Sequence, residues 1–133
     1  MTKNLIKIDY SQSVLEASFL YQKYKVGCLI ITKNDECVGI VTERNIIERT
    51  ICVGKSPEST KVEEIMTTGI ITIGLLDNLE KAIDVMIKYN IKKLPVILKD
   101  EIVGIITVTD ISRARPDLSK RFINSWVRPR WRD

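Results

Sequence analysis

The chain has 133 residues, 44% of them hydrophobic and 29% charged; this is one domain's length with apolar content enough for a core, and it excludes a disordered polyelectrolyte. Histidine is absent, which excludes Ser-His and Cys-His catalytic pairs, imidazole metal ligands and a histidine pH switch. The formal charge of +4 is uneven: residues 113–133 carry seven basic side chains against Asp117 and Asp133, whereas the first 112 residues are close to neutral, so a large anionic partner can be argued only for the C-terminal segment or a local pocket.

In chain order, Asn4–Tyr10 alternates and predicts a short strand over Ile6–Ile8; it lacks the charged-then-apolar pattern of a leader. Val14, Ala17, Leu20 and Tyr24 fall on one face of a helix. Two β-branched runs follow, Cys28 to Thr32 and Cys37 to Val41, joined by the polar turn Lys33-Asn34-Asp35-Glu36. A short helix begins at Glu43, Val53 to Thr60 reads as a loop, and Lys61 to Thr67 reads as a helical turn. A second strand-helix-hairpin-helix series then runs through Ile70–Ile73, the face Leu79, Ala82, Ile83 and Met86, Leu94 to Leu98, Ile102 to Thr107, and a helix from Thr109, with Lys99-Asp100-Glu101 as its turn.

Pro116 suits a helix start, and Leu118, Phe122, Ile123, Trp126 and Val127 line one face of that helix. Pro129 ends the pattern within Arg128-Pro129-Arg130-Trp131-Arg132. Two readings stand for this segment: a helix docked on its own domain or a dimer mate, or an anion-binding arm for nucleic acid, a membrane surface or an acidic protein, in which Arg and Trp can stack on bases and neutralise phosphates. No apolar run approaches the ~18–20 residues that span a bilayer, so no membrane association is expected. Cys28, Cys37 and Cys52 are odd in number, lack CxxC spacing and sit in apolar runs; they are expected to be buried small hydrophobes in a reducing cytoplasm. Twenty-one isoleucines beside two glutamines suggest a heat-tolerant source.

The two series are copies. An offset of 65 lays residues 23–42 on residues 88–107 without a gap, with identities including Ala17/Ala82, Tyr24/Tyr89, Leu29/Leu94, Asp35/Asp100, Gly39/Gly104 and Thr42/Thr107. Each copy reads β-α-β-β-α. The expected fold is α+β, two such repeats packed sheet to sheet with pseudo-twofold symmetry, because one unit cannot cover both faces of its sheet. The expected divisions are 1–60, 61–114 and a basic C-terminal helix and tail, 115–133.

GIVTERNI (Gly39–Ile46), GIITVTDI (Gly104–Ile111), Leu94-Pro95-Val96 and Ile65-Met66-Thr67 together resemble a tandem pair of cystathionine-β-synthase (CBS) domains. The resemblance implies a stand-alone, non-catalytic regulatory module with no covalent cofactor. Its implied ligands are adenine nucleotides (AMP, ADP or ATP) or S-adenosylmethionine, held in clefts between the repeats. It also implies a homodimer and a downstream partner protein.

The stronger implied site lies at the second motif. Thr107 offers a hydroxyl where a strand meets a helix, and a carboxylate at Asp110 can accept from two ribose hydroxyls. By analogy Lys92 and Lys93 lie over the phosphates, Arg113 fits the extended motif, and Ile6, Val26 and Gly27 flank a flat base. A plainer reading of Thr-x-x-Asp is a helix N-cap with an acidic third residue. The weaker site keeps Thr42 but has Asn45 for the acid, Gly27 and Cys28 in place of the lysines, Glu48 for Arg113, and Ile71 on its wall. Phosphate binding there is expected to be poor. The rival function is a scaffold with vestigial clefts whose basic tail binds a partner.

Overall fold

A computed structural model describes residues 5–126 of the chain, with the backbone alone described for Ser119 and residues 123–126. Contacts group it into two compact units, one over Asn4–Ile70 and the other from Ile71 onward.

In the first unit, β1 (Lys7–Asp9) leads into α1 (Val14–Tyr24), and β2 (Cys28–Lys33) and β3 (Glu36–Thr42) form a hairpin. The sheet order is β1-β2-β3, with β1 parallel to β2 and β2 antiparallel to β3. Parallel neighbours need a crossover, and α1 supplies it. Its apolar stripe meets one face of the sheet: Val14 and Ala17 pack with Ile8, Leu29, Ile31 and Val41. Removal of that much apolar surface from water is what holds the helix on the sheet. α2 (Glu43–Ile46) widens without a break into one π turn over Ile47–Ile51, where the Cys52 N–H reaches the Ile47 carbonyl at 2.9 Å. α3 (Val62–Ile65) follows a run of turns.

The second unit repeats this plan. β4 (Ile73–Gly74), α4 (Leu79–Tyr89), β5 (Lys93–Leu98), β6 (Glu101–Thr107) and α5 (Val108–Ala114) give a sheet ordered β4-β5-β6. The copies share irregularities as well as elements. Register slips between Ile31 and Thr32 in one hairpin and between Val96 and Ile97 in the other, positions 65 residues apart; each slip is a β-bulge that bends its strand. Both hairpins turn through two residues at positive φ, Asn34-Asp35 and Lys99-Asp100, the arrangement that matches strand twist. Ser13 and Asn78 cap the starts of α1 and α4, and Lys25 and Asn90 end them in the left-handed region.

Four outcomes differ from the sequence expectations. The strand expected over Ile70–Ile73 contracts to Ile73–Gly74, because only those residues find partners on β5. Cys28 is buried but Cys37 and Cys52 are exposed; Cys37 is the second residue of β3, next to the hairpin turn, and Cys52 follows the π turn in an exposed stretch. The turn expected at Lys61–Thr67 exists as α3 but packs with the first unit, where Val62 and Ile65 are buried against α1 and the sheet. Sequence repeat and packing unit therefore divide the chain at different places. Last, the stretch from Glu43 is not a plain short helix, since it carries the π turn.

α6 (Pro116–Trp126) lies on the second unit. Phe122 is 3% exposed in the core with Ile83, Met86 and Ile111, Leu118 packs beside it, and Arg121 forms an ion pair with Asp84 of α4. Docking on its own domain is thus the reading realised for Leu118 and Phe122. The side chains of Ile123 and Trp126, and Val127 with the Arg128–Arg132 run, lie outside the described residues. Among the described residues no helix is long and apolar enough to cross a membrane.

Candidate functional site

Both motif corners are built by the same local rule. A strand ends at a threonine, and the chain turns directly into a helix whose third residue carries an oxygen. In the second copy the Asp110 N–H donates to Thr107 Oγ1 (3.1 Å), and the Thr107 N–H donates to Asp110 Oδ2 (3.0 Å). This is a complete capping box, which satisfies two backbone donors at the helix start. The N-cap reading of the motif is therefore correct, and it uses one of the two Asp110 carboxylate oxygens. Oδ1 stays uncommitted among the described residues.

Register brings the two lysines to this corner. Lys93 pairs with Thr107 across the hairpin, and the Val108 N–H donates to the Lys92 carbonyl at 3.2 Å. Lys92 is exposed and Lys93 half-buried. Arg113 sits in the last turn of α5, exposed, with no ion pair among the described residues. Thr107, Asp110, Lys92 and Lys93 are thus gathered within one unit. Ile71 is half-buried against the core of this unit. Ile6 and Val26 belong to the first unit, where they pack against its core, and Gly27 immediately precedes β2.

The first-copy corner has the same geometry with different chemistry. The Thr42 N–H donates to Asn45 Oδ1 (3.1 Å), the Asn45 N–H donates to Thr42 Oγ1 (3.2 Å), and Cys28 pairs with Thr42 in register. Gly27 and Cys28 stand where the second copy has Lys92 and Lys93. Instead Arg49, in the π turn, donates from Nη1 to the Ile65 carbonyl (2.9 Å) and to Thr67 Oγ1 (3.2 Å), and the Thr67 hydroxyl reaches Asn45 Oδ1 at 3.4 Å. Glu48, the counterpart of Arg113, is paired with Arg44. Arg49 was missed by sequence reasoning. The signal for it is that the 65-residue offset sets it against Ala114, a cation without a counterpart.

Two motifs that are separate in sequence also meet here. Thr67 bridges to Ile40 through the Ile40 N–H to Thr67 O (3.0 Å) and the Thr67 N–H to Ile40 O (2.8 Å). The preceding Met66 lies over Gly39, where a Cβ would stand 2.5 Å from Met66 Sδ. The glycine that opens GIVTERNI is therefore required for the Ile65-Met66-Thr67 segment to lie on β3.

The CBS domain family model matches residues 1–51 and 62–117. A solved structure of an uncharacterised conserved protein from Pyrococcus horikoshii is 36% identical, with a TM-score of 0.81 over 86% of each chain. The hexameric CBS-CP12 protein from bloom-forming cyanobacteria is 30% identical, with a TM-score of 0.78 over 90% of this chain and 70% of that one. An uncharacterised protein of Methanopyrus kandleri is 26% identical over 118 residues, 87% of this chain; the chain spans only 60% of that relative's length. Motifs, topology and matched span agree in both copies: the chain belongs to the CBS domain family and carries two copies of the domain.

Proposed function

We propose that the chain is a regulatory module that senses an adenosyl ligand, an adenine nucleotide or S-adenosylmethionine, chiefly through the second-copy corner. The observation that carries this reading is the Asp110 oxygen left uncommitted among the described residues, at a corner whose Thr107 pairs in register with Lys93 and whose Val108 N–H bonds the Lys92 carbonyl. A carboxylate accepts from a ribose diol, while ammonium groups and a hydroxyl favour phosphate. Ile6, Val26 and Gly27 enter as the base-flanking residues by family analogy. No catalytic role is assigned to any residue, and ligand binding is read out as a shift between conformations or assemblies.

Self-association fits the same picture. Ile47 and Ile51 stand four residues apart on the first unit and are 54% and 57% exposed, an apolar pair that a second copy of the chain would cover.

Thermal shift with AMP, ADP, ATP, S-adenosylmethionine and NAD tests the reading. A ligand at 100 times its Kd should add about 2.7 kcal/mol. Asp110→Asn is the discriminating variant, since Asn45 shows that asparagine completes the box. It should keep the fold and lose most of the ligand shift. No shift with any ligand on the unmodified protein would favour the scaffold reading instead.

A further inference from the structure

We propose that the π turn over Ile47–Ile51 is a two-register element, with the Arg49 side chain as the latch that holds the π register and the buried Thr50 hydroxyl as the group that favours the α register. Only the use of such a device rests on the regulatory reading; the device itself follows from the bonds around the turn. The π register is marked by the Cys52 N–H, which reaches the Ile47 carbonyl five residues back at 2.9 Å. The counterpart stretch of the second copy, α5, starts from an equivalent capping box and is α throughout, with the Arg115 N–H on the Ile111 carbonyl four residues back (2.7 Å). The corner itself is therefore compatible with either register.

Two side chains pull the turn in opposite directions. Thr50 is 0% exposed and its Oγ1 has no partner among the described residues; a buried hydroxyl without a partner disfavours the arrangement that holds it. Arg49 favours that arrangement, since its Nη1 donates to the Ile65 carbonyl and to Thr67 Oγ1. An α-helix advances about 100° per residue, so loss of the extra residue turns Thr50 toward the present place of Ile51, which is 57% exposed. The Thr50 hydroxyl then meets water, and Arg49 leaves Ile65 and Thr67. The chain beyond can absorb the change. The Gly54 and Lys55 N–H groups bond back to Ile51 and Thr50 and travel with the turn, and the next tie to another element is the Pro57 carbonyl, which accepts from the Leu15 N–H.

The same rotation moves Ile51 and Val53 relative to Ile47, all three of them exposed, so the register sets the shape of the apolar face presented there. Thr67 links the latch to the first-copy corner, because its Oγ1 accepts from Arg49 while its hydroxyl donates to Asn45 Oδ1. A minor register populated at about 0.1–10% is what a regulatory event can draw on.

The register is read in the full chain by NMR. Scalar coupling across the hydrogen bond identifies the acceptor of the Cys52 N–H, Ile47 in the π register and Glu48 in the α register, and amide relaxation dispersion over residues 48–55 measures the minor population. Arg49→Ala should raise the α population about tenfold or more by removing both latch bonds. Thr50→Val should lower it about fivefold and weaken the dispersion. A folded Arg49→Ala protein that keeps the Cys52–Ile47 coupling without dispersion overturns the proposal, and so do two variants that move the register in the same direction. AMP titration separates this from the sensing reading. A register that answers to both variants while no adenosyl ligand binds would sink the sensing reading alone; AMP binding with neither variant altering the register would sink the latch alone.

Discussion

Gly39→Ala should destabilise the first unit through contacts that can be counted in advance. The added Cβ would stand 2.5 Å from Met66 Sδ, 2.9 Å from Met66 Cγ and 3.0 Å from the Thr67 carbonyl oxygen. Met66 can swing away, at the loss of its packing. The Thr67 carbonyl cannot, because it is held by the Ile40 N–H and its own N–H holds the Ile40 carbonyl. Overpacking of this kind costs about 1–3 kcal/mol, and weakening two backbone bonds adds to it at about 1 kcal/mol each. We expect a total near 3 kcal/mol, read as a lower urea midpoint at unchanged slope. Gly54→Ala is the control: φ is +76° there and nothing lies within 4 Å, so only a backbone cost of about 1 kcal/mol applies. Met66→Ala removes the two closest atoms, so the double variant should lose at least 1 kcal/mol less than the sum of the singles. Strict additivity would refute the packing of Met66 on Gly39.

Lys25→Asn and Lys99→Asn should each stabilise by about 0.5–1 kcal/mol in urea melts, since both lysines sit at φ near 50° and asparagine tolerates the left-handed region better; each change imports the residue of the other copy, Asn90 and Asn34. Tyr21→Phe should cost about 1 kcal/mol by removing the bond from the Tyr21 hydroxyl to the Val41 carbonyl. Burial first, then the nearby Cys28 and Glu43, pushes the Tyr21 hydroxyl well above its usual value, so its contribution holds at neutral pH. That contribution declines once the unfolded tyrosine ionises, above about pH 10; the phenylalanine variant should melt with a flatter alkaline limb. Thr50→Val should stabilise by about 1 kcal/mol, because the Thr50 hydroxyl in the π turn is fully buried and has no partner among the described residues; a marked loss would mean that the hydroxyl is bonded. Phe122→Ala should cost about 3–4 kcal/mol and expose α6 to proteolysis, as measured by cleavage before and after the change.

What the sequence made legible was whatever is repeated or periodic. The helix stripes of α1 and α4 and both hairpins follow from residue spacing, and the 65-residue offset placed equivalent corners on equivalent turns. The π turn was not legible, because Ile47–Ile51 has the composition of an ordinary helix and the extra residue per turn is a matter of tertiary fit. Nor was the seat of α3, since adjacency in sequence pointed to the second copy while Val62 and Ile65 find their apolar partners in the first. At the site, Thr107, Asp110, Lys92 and Lys93 were found because strand register is local. Arg49 was passed over because only the fold brings it to residues 65 and 67.

The two readings of the Thr-x-x-Asp motif are not rivals. A capping box needs one oxygen at the third helical residue, and Asn45 supplies it as well as Asp110 does: the four bonds lie between 3.0 and 3.2 Å. A neutral amide suffices for the hydrogen bonds of the cap, and the charge on Asp110 adds only its interaction with the positive end of the α5 dipole, about 0.3–1 kcal/mol. In the first copy Thr67 links the neutral Asn45 to Arg49, which forms no ion pair among the described residues. The fold fixes where these side chains stand and constrains their charge only weakly. Two copies of one backbone can then keep equivalent turns, bulges and caps while one corner carries a carboxylate and the other an amide.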